Sequence, residues 1–163
     1  MPQQTTQQYF KALTVLHFAL ITALVFFIVI AYFVQRTGVF TADKMLGDIF
    51  KYMVPALAFI CMTAGNMLYK KRVNDIKKKS SLAEKLNAYR AAFILREAML
   101  EGPALFAIIA YLLCGKLELL GVAVLLLVIF ILIRPTKDKL TKELELSSDE
   151  AVMIEDDDAV ISE

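Results

Sequence analysis

Four long apolar runs occupy most of this chain, and so much uninterrupted hydrocarbon is hard to hide in any water-soluble fold. They cover residues 13–34, 52–69, 91–114 and 117–133, the first broken only by Thr14, His17 and Thr22. Each approaches the ~20 residues a helix needs to cross about 30 Å of hydrocarbon at 1.5 Å per residue. With 58% apolar residues and a positive mean hydropathy, one large soluble core is the weaker reading. A secretory signal peptide is also disfavoured, because the first run is long and no small-residue cleavage pattern follows it. The expected fold is an all-α integral membrane four-helix bundle, with helices near 12–34, 49–79, 82–114 and 117–134. The transmembrane domain then covers 1–134, and 135–163 forms a short amphipathic helix and an acidic tail.

Basic residues are very unequally shared between the loops. Counting Lys11, thirteen fall on the side of the loop joining the second and third runs, and only Arg36, Lys44, Lys51 and Lys116 fall on the other. Positive charge stays on the cytoplasmic face, so both termini and the central loop are expected there, in a bacterial inner membrane. Tyr32, Tyr52 and Tyr111 near the outer helix ends, and Tyr69 and Tyr89 near the inner ends, read as an aromatic belt.

The third run is peculiar because Arg96, Glu97 and Glu101 lie within it. Its uninterrupted apolar part, 102–113, has twelve residues, or about 18 Å of helix, and cannot cross alone. Ionisable groups at that depth need a partner or a purpose. Counting 1.5 Å per residue from the cytoplasmic side puts His17, Asn66, Glu97 and Glu101 in one layer, about 5–10 Å deep. Lipid offers no hydrogen bonds, so these four are expected to face one another. Glu97 and Glu101 share a helix face, with Arg90 near the same stripe, while Arg96 points about 100° away and is expected to snorkel or form an ion pair. Gly102 and Pro103 follow the acid directly and mark an expected kink.

The loop between the second and third runs does not read as a flexible linker. Lys70, Lys71, Arg72, Lys77, Lys78 and Lys79 are expected to prolong the second helix and to bind anionic lipid headgroups. Ser81 and Glu84 form a capping box that starts the third helix at Leu82, and Leu82, Leu86, Tyr89 and Phe93 recur as one apolar stripe. After Pro135, Thr136 is placed to cap a short helix with Leu140 and Leu144 on one side. In the outer loop, Phe40, Leu46 and Phe50 suggest a short interfacial helix. Residues 134–163 carry four basic and ten acidic side chains, a balance of −6 against +7 for the remainder. From Ser147 onward the composition points to a disordered, solubilising tail; its other reading is a segment that binds its own basic loop or a basic partner.

The stretch Glu97-Ala98-Met99-Leu100-Glu101-Gly102-Pro103-Ala104-Leu105-Phe106-Ala107-Ile108-Ile109 resembles the carboxylate-bearing helix of rotor-ring proteolipids of ATP synthases and vacuolar-type ATPases. That resemblance implies proton or cation binding at Glu101, and it covers one helix. The first helix departs from the pattern: it has no glycine for close ring packing and carries Phe18, Phe26, Phe27 and Phe33. The acidic tail is foreign to that group as well, so ring membership is set aside. As a whole the chain resembles uncharacterised small four-helix bacterial inner-membrane proteins, which implies an architecture without an activity.

A single histidine and the absence of any Cys-x-x-Cys pair leave no metal-ligand spacing, and no cofactor is expected. Cys61 and Cys114 lie at different depths, which disfavours a disulfide. No aromatic or motif pattern supports nucleic-acid binding. The functional expectation is a non-enzymatic scaffold or accessory subunit contacting anionic lipids or a protein partner, or assembling with copies of itself. The alternative is a small oligomeric transporter or proton-coupled subunit that uses the intramembrane carboxylate. A membrane enzyme pairing His17 with Glu97 or Glu101 ranks third, since nucleophile and phosphate-binding motifs are missing.

Overall fold

Apolar runs with no backbone partner outside themselves are stable as helices, where every interior N–H and C=O is satisfied within the segment. The structure, a computed structural model, describes residues 4–39 and 44–161. In chain order these form β1 (Gln4–Thr5), α1 (Thr6–Arg36), α2 (Lys44–Ile76), α3 (Leu82–Cys114), α4 (Leu117–Leu132), α5 (Lys137–Leu144), α6 (Ser148–Glu155) and β2 (Val160–Ile161). Three helices, α1 to α3, are long and apolar enough to cross a membrane. The fourth apolar helix has 16 residues, about 24 Å. Pro135 follows it and cannot donate to a continuing helix.

Local chemistry explains where the helices begin and end. Helix α1 starts at Thr6 rather than near residue 12, because buried Tyr9, Phe10, Leu13 and His17 extend its packed stripe below the apolar run. Helix α2 stops at Ile76 rather than 79: the N–H groups of Lys77, Lys78 and Lys79 turn back onto the carbonyls of Val73, Asp75 and Ile76. Ser81 then caps α3, its Oγ accepting from the Glu84 N–H at 3.2 Å.

By packing, the chain falls into two compact units, each assembled from separate stretches of sequence. One compact unit comprises Ala19–Gly65 and Glu97–Ile133, and the other Met1–Phe18, Asn66–Arg96 and Arg134–Glu163. The first is an apolar unit whose core takes Leu24 and Ala31 from α1, Val54 and Ala58 from α2, Leu119, Ala123, Leu126 and Phe130 from α4, and a long row from α3. That row includes Ala104, Ala107 and Ala110, small residues that let neighbouring backbones approach. Gly65 shows how close the approach is, since a Cβ added there would meet the Met99 Cβ at 2.9 Å. Half of the most apolar stretch of α3 is buried, against 17% for α1 and for α2. Phe26, Phe27 and Phe33 of α1 and Phe59 and Ile60 of α2 point outward instead, an arrangement that suits lipid and is a liability in water. Of the outer-loop residues, Phe40 lies outside the described residues, whereas Leu46 and Phe50 belong to α2 and pack on this core. The Phe50 and Phe106 rings meet edge to face at 5.7 Å.

The second, terminal unit has its own core: Tyr9, Phe10 and Leu13 of α1, Tyr69, Val73 and Ile76 of α2, Leu86, Tyr89 and Phe93 of α3, Leu140 and Leu144 of α5, and Ile154 of α6. The acidic segment, expected to be disordered, is therefore folded. Average composition concealed two local signals. Ser147 and Glu150 form a reciprocal capping box, with Oγ accepting from the Glu150 N–H at 3.3 Å and Oε2 from the Ser147 N–H at 3.0 Å. Four residues further on, Ile154 supplies one wholly buried side chain. Glu145 closes α5 in the left-handed conformation, φ 49°, and turns the chain into α6. The last described residues pair with the first, Gln4 opposite Ile161 and Thr5 opposite Val160. The opening N–H groups of α1, which have no acceptor within their own helix, are met by the Ala159 carbonyl at Thr6 and the Asp157 carbonyl at Gln7, 3.0 and 3.1 Å away.

Candidate functional site

The terminal unit concentrates charge, aromatic rings and hydroxyls on the faces where α2, α3 and α5 meet. Tyr69 lies one turn before Val73 on the buried stripe of α2, and Tyr89 continues the Leu82–Leu86 stripe of α3. Both phenols are carried into the core rather than to a membrane interface, and a buried hydroxyl needs a partner. Glu143 of α5 provides it: its Oε2 accepts a short hydrogen bond from Tyr69 and one of 3.1 Å from Tyr89. The ring pair is edge-to-face at 6.2 Å, and Phe93 stacks beyond Tyr89 at 6.4 Å. Arg96, expected to snorkel or pair with an acid, holds its guanidinium over the Tyr69 ring, 4.6 Å from the centroid. Arg90 does likewise over Tyr9 at 4.9 Å and donates to Gln4 Oε1 at 3.0 Å.

Around this network the acidic segment engages chosen lysines. Lys85 and Glu150 meet at 2.6 Å with both side chains largely buried. Lys77 reaches Glu145 at 2.7 Å, and Lys137 reaches Asp157 at 2.6 Å and the Glu155 carbonyl at 3.0 Å. Partial burial acts to raise the Glu150 carboxyl, but hydrogen bonds from Lys85 and Ser147 outweigh it and hold the group below its ordinary value. Burial, assisted by the Arg96 charge, pushes the Lys139 ammonium down, and the Glu143 carboxylate opposes the shift. Lys70, Lys71, Arg72, Lys78 and Lys79 remain exposed; among them Lys78 has a long contact of 3.7 Å to Asp75. An open cavity of about 330 Å³ is lined by Tyr69, Lys70, Val73, Asn74, Lys77, Lys142 and Glu143.

The four residues expected to form one polar layer are distributed between the units. His17 is buried in the terminal unit, its ring 6.2 Å from that of Phe93. Asn66 is exposed: the face of α2 that packs carries its neighbour Gly65 and then Tyr69, and one residue of offset turns Asn66 about 100° away. Glu97 and Glu101 belong to the apolar unit, where Glu97 is fully buried and Glu101 half-buried. They lie one turn apart on α3, which runs on through Gly102 and Pro103 to Cys114. The resemblance-based ranking placed Glu101 first; by burial Glu97 takes that place. Sequence reasoning missed Glu143, although its position between the apolar pair Leu140 and Leu144 was a usable signal. It also missed Gly65, whose role rests on a tertiary approach that no local pattern encodes. No protein-family model, curated protein or solved structure matches the chain.

Proposed function

We propose that the protein is a non-enzymatic scaffold or accessory subunit of a bacterial inner membrane, crossing it four times, with both termini and the α2–α3 turn in the cytoplasm. Its terminal unit is the working part, and contact with anionic lipid is its principal interaction. The observation that carries this reading is selective neutralisation. The acidic segment engages Lys85 and Lys137, while the cations directly after the apolar run of α2, Lys70, Lys71 and Arg72, stay exposed. A lysine or arginine near an anionic surface contributes about 1 kcal/mol, so three to five of them make a selective contact. The thirteen-to-four bias of basic residues supports the stated orientation. In nanodiscs of mixed lipid, spin-label quenching of the wild type is expected to report enrichment of phosphatidylglycerol over phosphatidylcholine. Replacing Lys70, Lys71, Arg72, Lys78 and Lys79 together by glutamine should abolish it, and a wild type without lipid preference overturns the reading.

One observation favours a second reading, a small oligomeric transporter or proton-coupled subunit. Glu97 is fully buried, with Glu101 one turn away, in the part of α3 that belongs to the apolar unit, and ionisable groups placed this way serve relays in many membrane proteins. Proton or cation flux in proteoliposomes that is unchanged in both Glu97→Gln and Glu101→Gln sinks it.

A further inference from the structure

The cavity against α5 differs from the rest of the lysine-bearing surface, because its cations are arranged rather than scattered. Lys70 and Asn74 occupy positions i and i+4 of α2 and therefore one helix face, and Lys77, directly after the end of that helix, lines the same cavity. Lys142 and Glu143 approach from α5, so three lysines, Asn74 and one carboxylate line the same space. Lys142 is held there indirectly. Its neighbour Glu143 is fastened by the Tyr69 and Tyr89 hydroxyls, and Leu140 and Leu144 on either side are buried. Glu143, which also lines the cavity, keeps its negative charge while it accepts from the two phenols, so it offsets one of the three lysines and leaves the lining net positive. The remaining acid, Glu145, is mostly exposed where it meets Lys77, and an ion pair of that kind is readily exchanged. At about 330 Å³ the space lies at the small end of the ~300–1,000 Å³ typical of small-ligand sites.

We propose that Lys70, Asn74, Lys77 and Lys142 form a stoichiometric site for one phosphate group, the lysines acting as point charges and the Asn74 amide as a neutral donor. Resting on the lipid-contact reading above, the site turns a diffuse attraction into one bound headgroup, because Lys70 directly follows the apolar run of α2 that ends at Tyr69. A soluble phosphate monoester has the same recognition chemistry, and the test separates the two sources.

The full chain is purified in neutral detergent and offered phosphatidic acid, phosphatidylglycerol or phosphatidylcholine, with glycerol 3-phosphate as the soluble arm, and bound molecules are counted by native mass spectrometry. One anionic lipid per chain is expected, weakened about tenfold by Lys142→Gln and by Lys70→Gln, each removing one charge-assisted contact. Both residues are exposed, so neither replacement disturbs the core. Lys11→Gln, which removes an equal charge from an exposed position of α1, should leave binding intact. Saturable binding of glycerol 3-phosphate alone, with the same dependence on Lys142, keeps the phosphate site and assigns it a soluble ligand. Equal weakening by Lys11→Gln and Lys142→Gln overturns the site while leaving the diffuse lipid contact standing. Absence of binding in every arm overturns the site as well, and if nanodisc enrichment is also missing, the lipid reading falls with it.

Discussion

Helices α1, α2 and α3 each contribute to both units, yet the two units hold together by different means. In the apolar unit the side chains that face outward are as hydrophobic as those that face inward, so sequestering them from water does not select the packing; shape does. Ala104, Ala107, Ala110 and Gly65 supply that shape on α3 and α2. In the terminal unit each of α1, α2, α3 and α5 has an apolar stripe, the Tyr69 and Tyr89 phenols and the Lys85 ammonium are matched to carboxylates, and the Tyr9 phenol donates to the Leu86 carbonyl. Small residues are therefore the sensitive positions in one unit, and large apolar or paired polar residues in the other.

The comparison breaks most visibly at Leu140. Truncating this wholly buried side chain by Leu140→Ala should cost about 2–5 kcal/mol and release α5 and α6, seen as accelerated hydrogen exchange over residues 137–155 with little change in residues 97–114. The mirror experiment enlarges a small residue in the other unit. Gly65→Val drives a branched side chain against Met99, whose Cβ is 2.9 Å from the first atom added, and should cost about 1–3 kcal/mol. Its thermal denaturation in detergent should shift down, whereas Gly121→Val, at a position with open space around it, should shift far less. A finer probe is Tyr89→Phe, which removes one of two phenol donors to Glu143. About 1 kcal/mol is expected, read as faster exchange in α5 alone.

The smallest effect is a pH dependence. The Glu150 carboxyl is held below its ordinary value of 4.5 in the folded unit. The folded state consequently binds this proton less tightly than the unfolded state, so the stabilisation is complete above about 4.5 and is lost as pH falls through the lower, folded value. Exchange in α6 should accelerate on acidification below that point. In Glu150→Gln this acid-induced step should disappear.

Much of the fold could be read from residue order, because the governing signals are local. The apolar runs carried the helical class, Ser81 and Thr136 carried helix starts that the structure caps through Oγ of Ser81 and Oγ1 of Thr136, and the Leu82–Phe93 stripe carried a packed face. Composition misled at the acidic segment. Its consecutive Glu155, Asp156, Asp157 and Asp158 suggest solvation, whereas the single side chain of Ile154 and the pair made by Glu150 decide its packing. The candidate site was less legible than the fold for a related reason. Depth counting along a helix gives height but not rotation, so Asn66 and Glu97 looked equivalent although one is exposed and the other buried. Tyr69 and Tyr89 looked interfacial because their shared partner, Glu143, lies 74 and 54 residues away in the chain.

The account turns on the acidic segment being a folded part of the terminal unit, since that is what neutralises some lysines and leaves others exposed. Hydrogen exchange of the full chain in nanodiscs, followed at the amides of Ala151 to Glu155, tests this most directly. The account predicts protection of these amides that is lost together with that of α5 in Leu140→Ala. Exchange at the rate of an unstructured peptide in the wild type would contradict it.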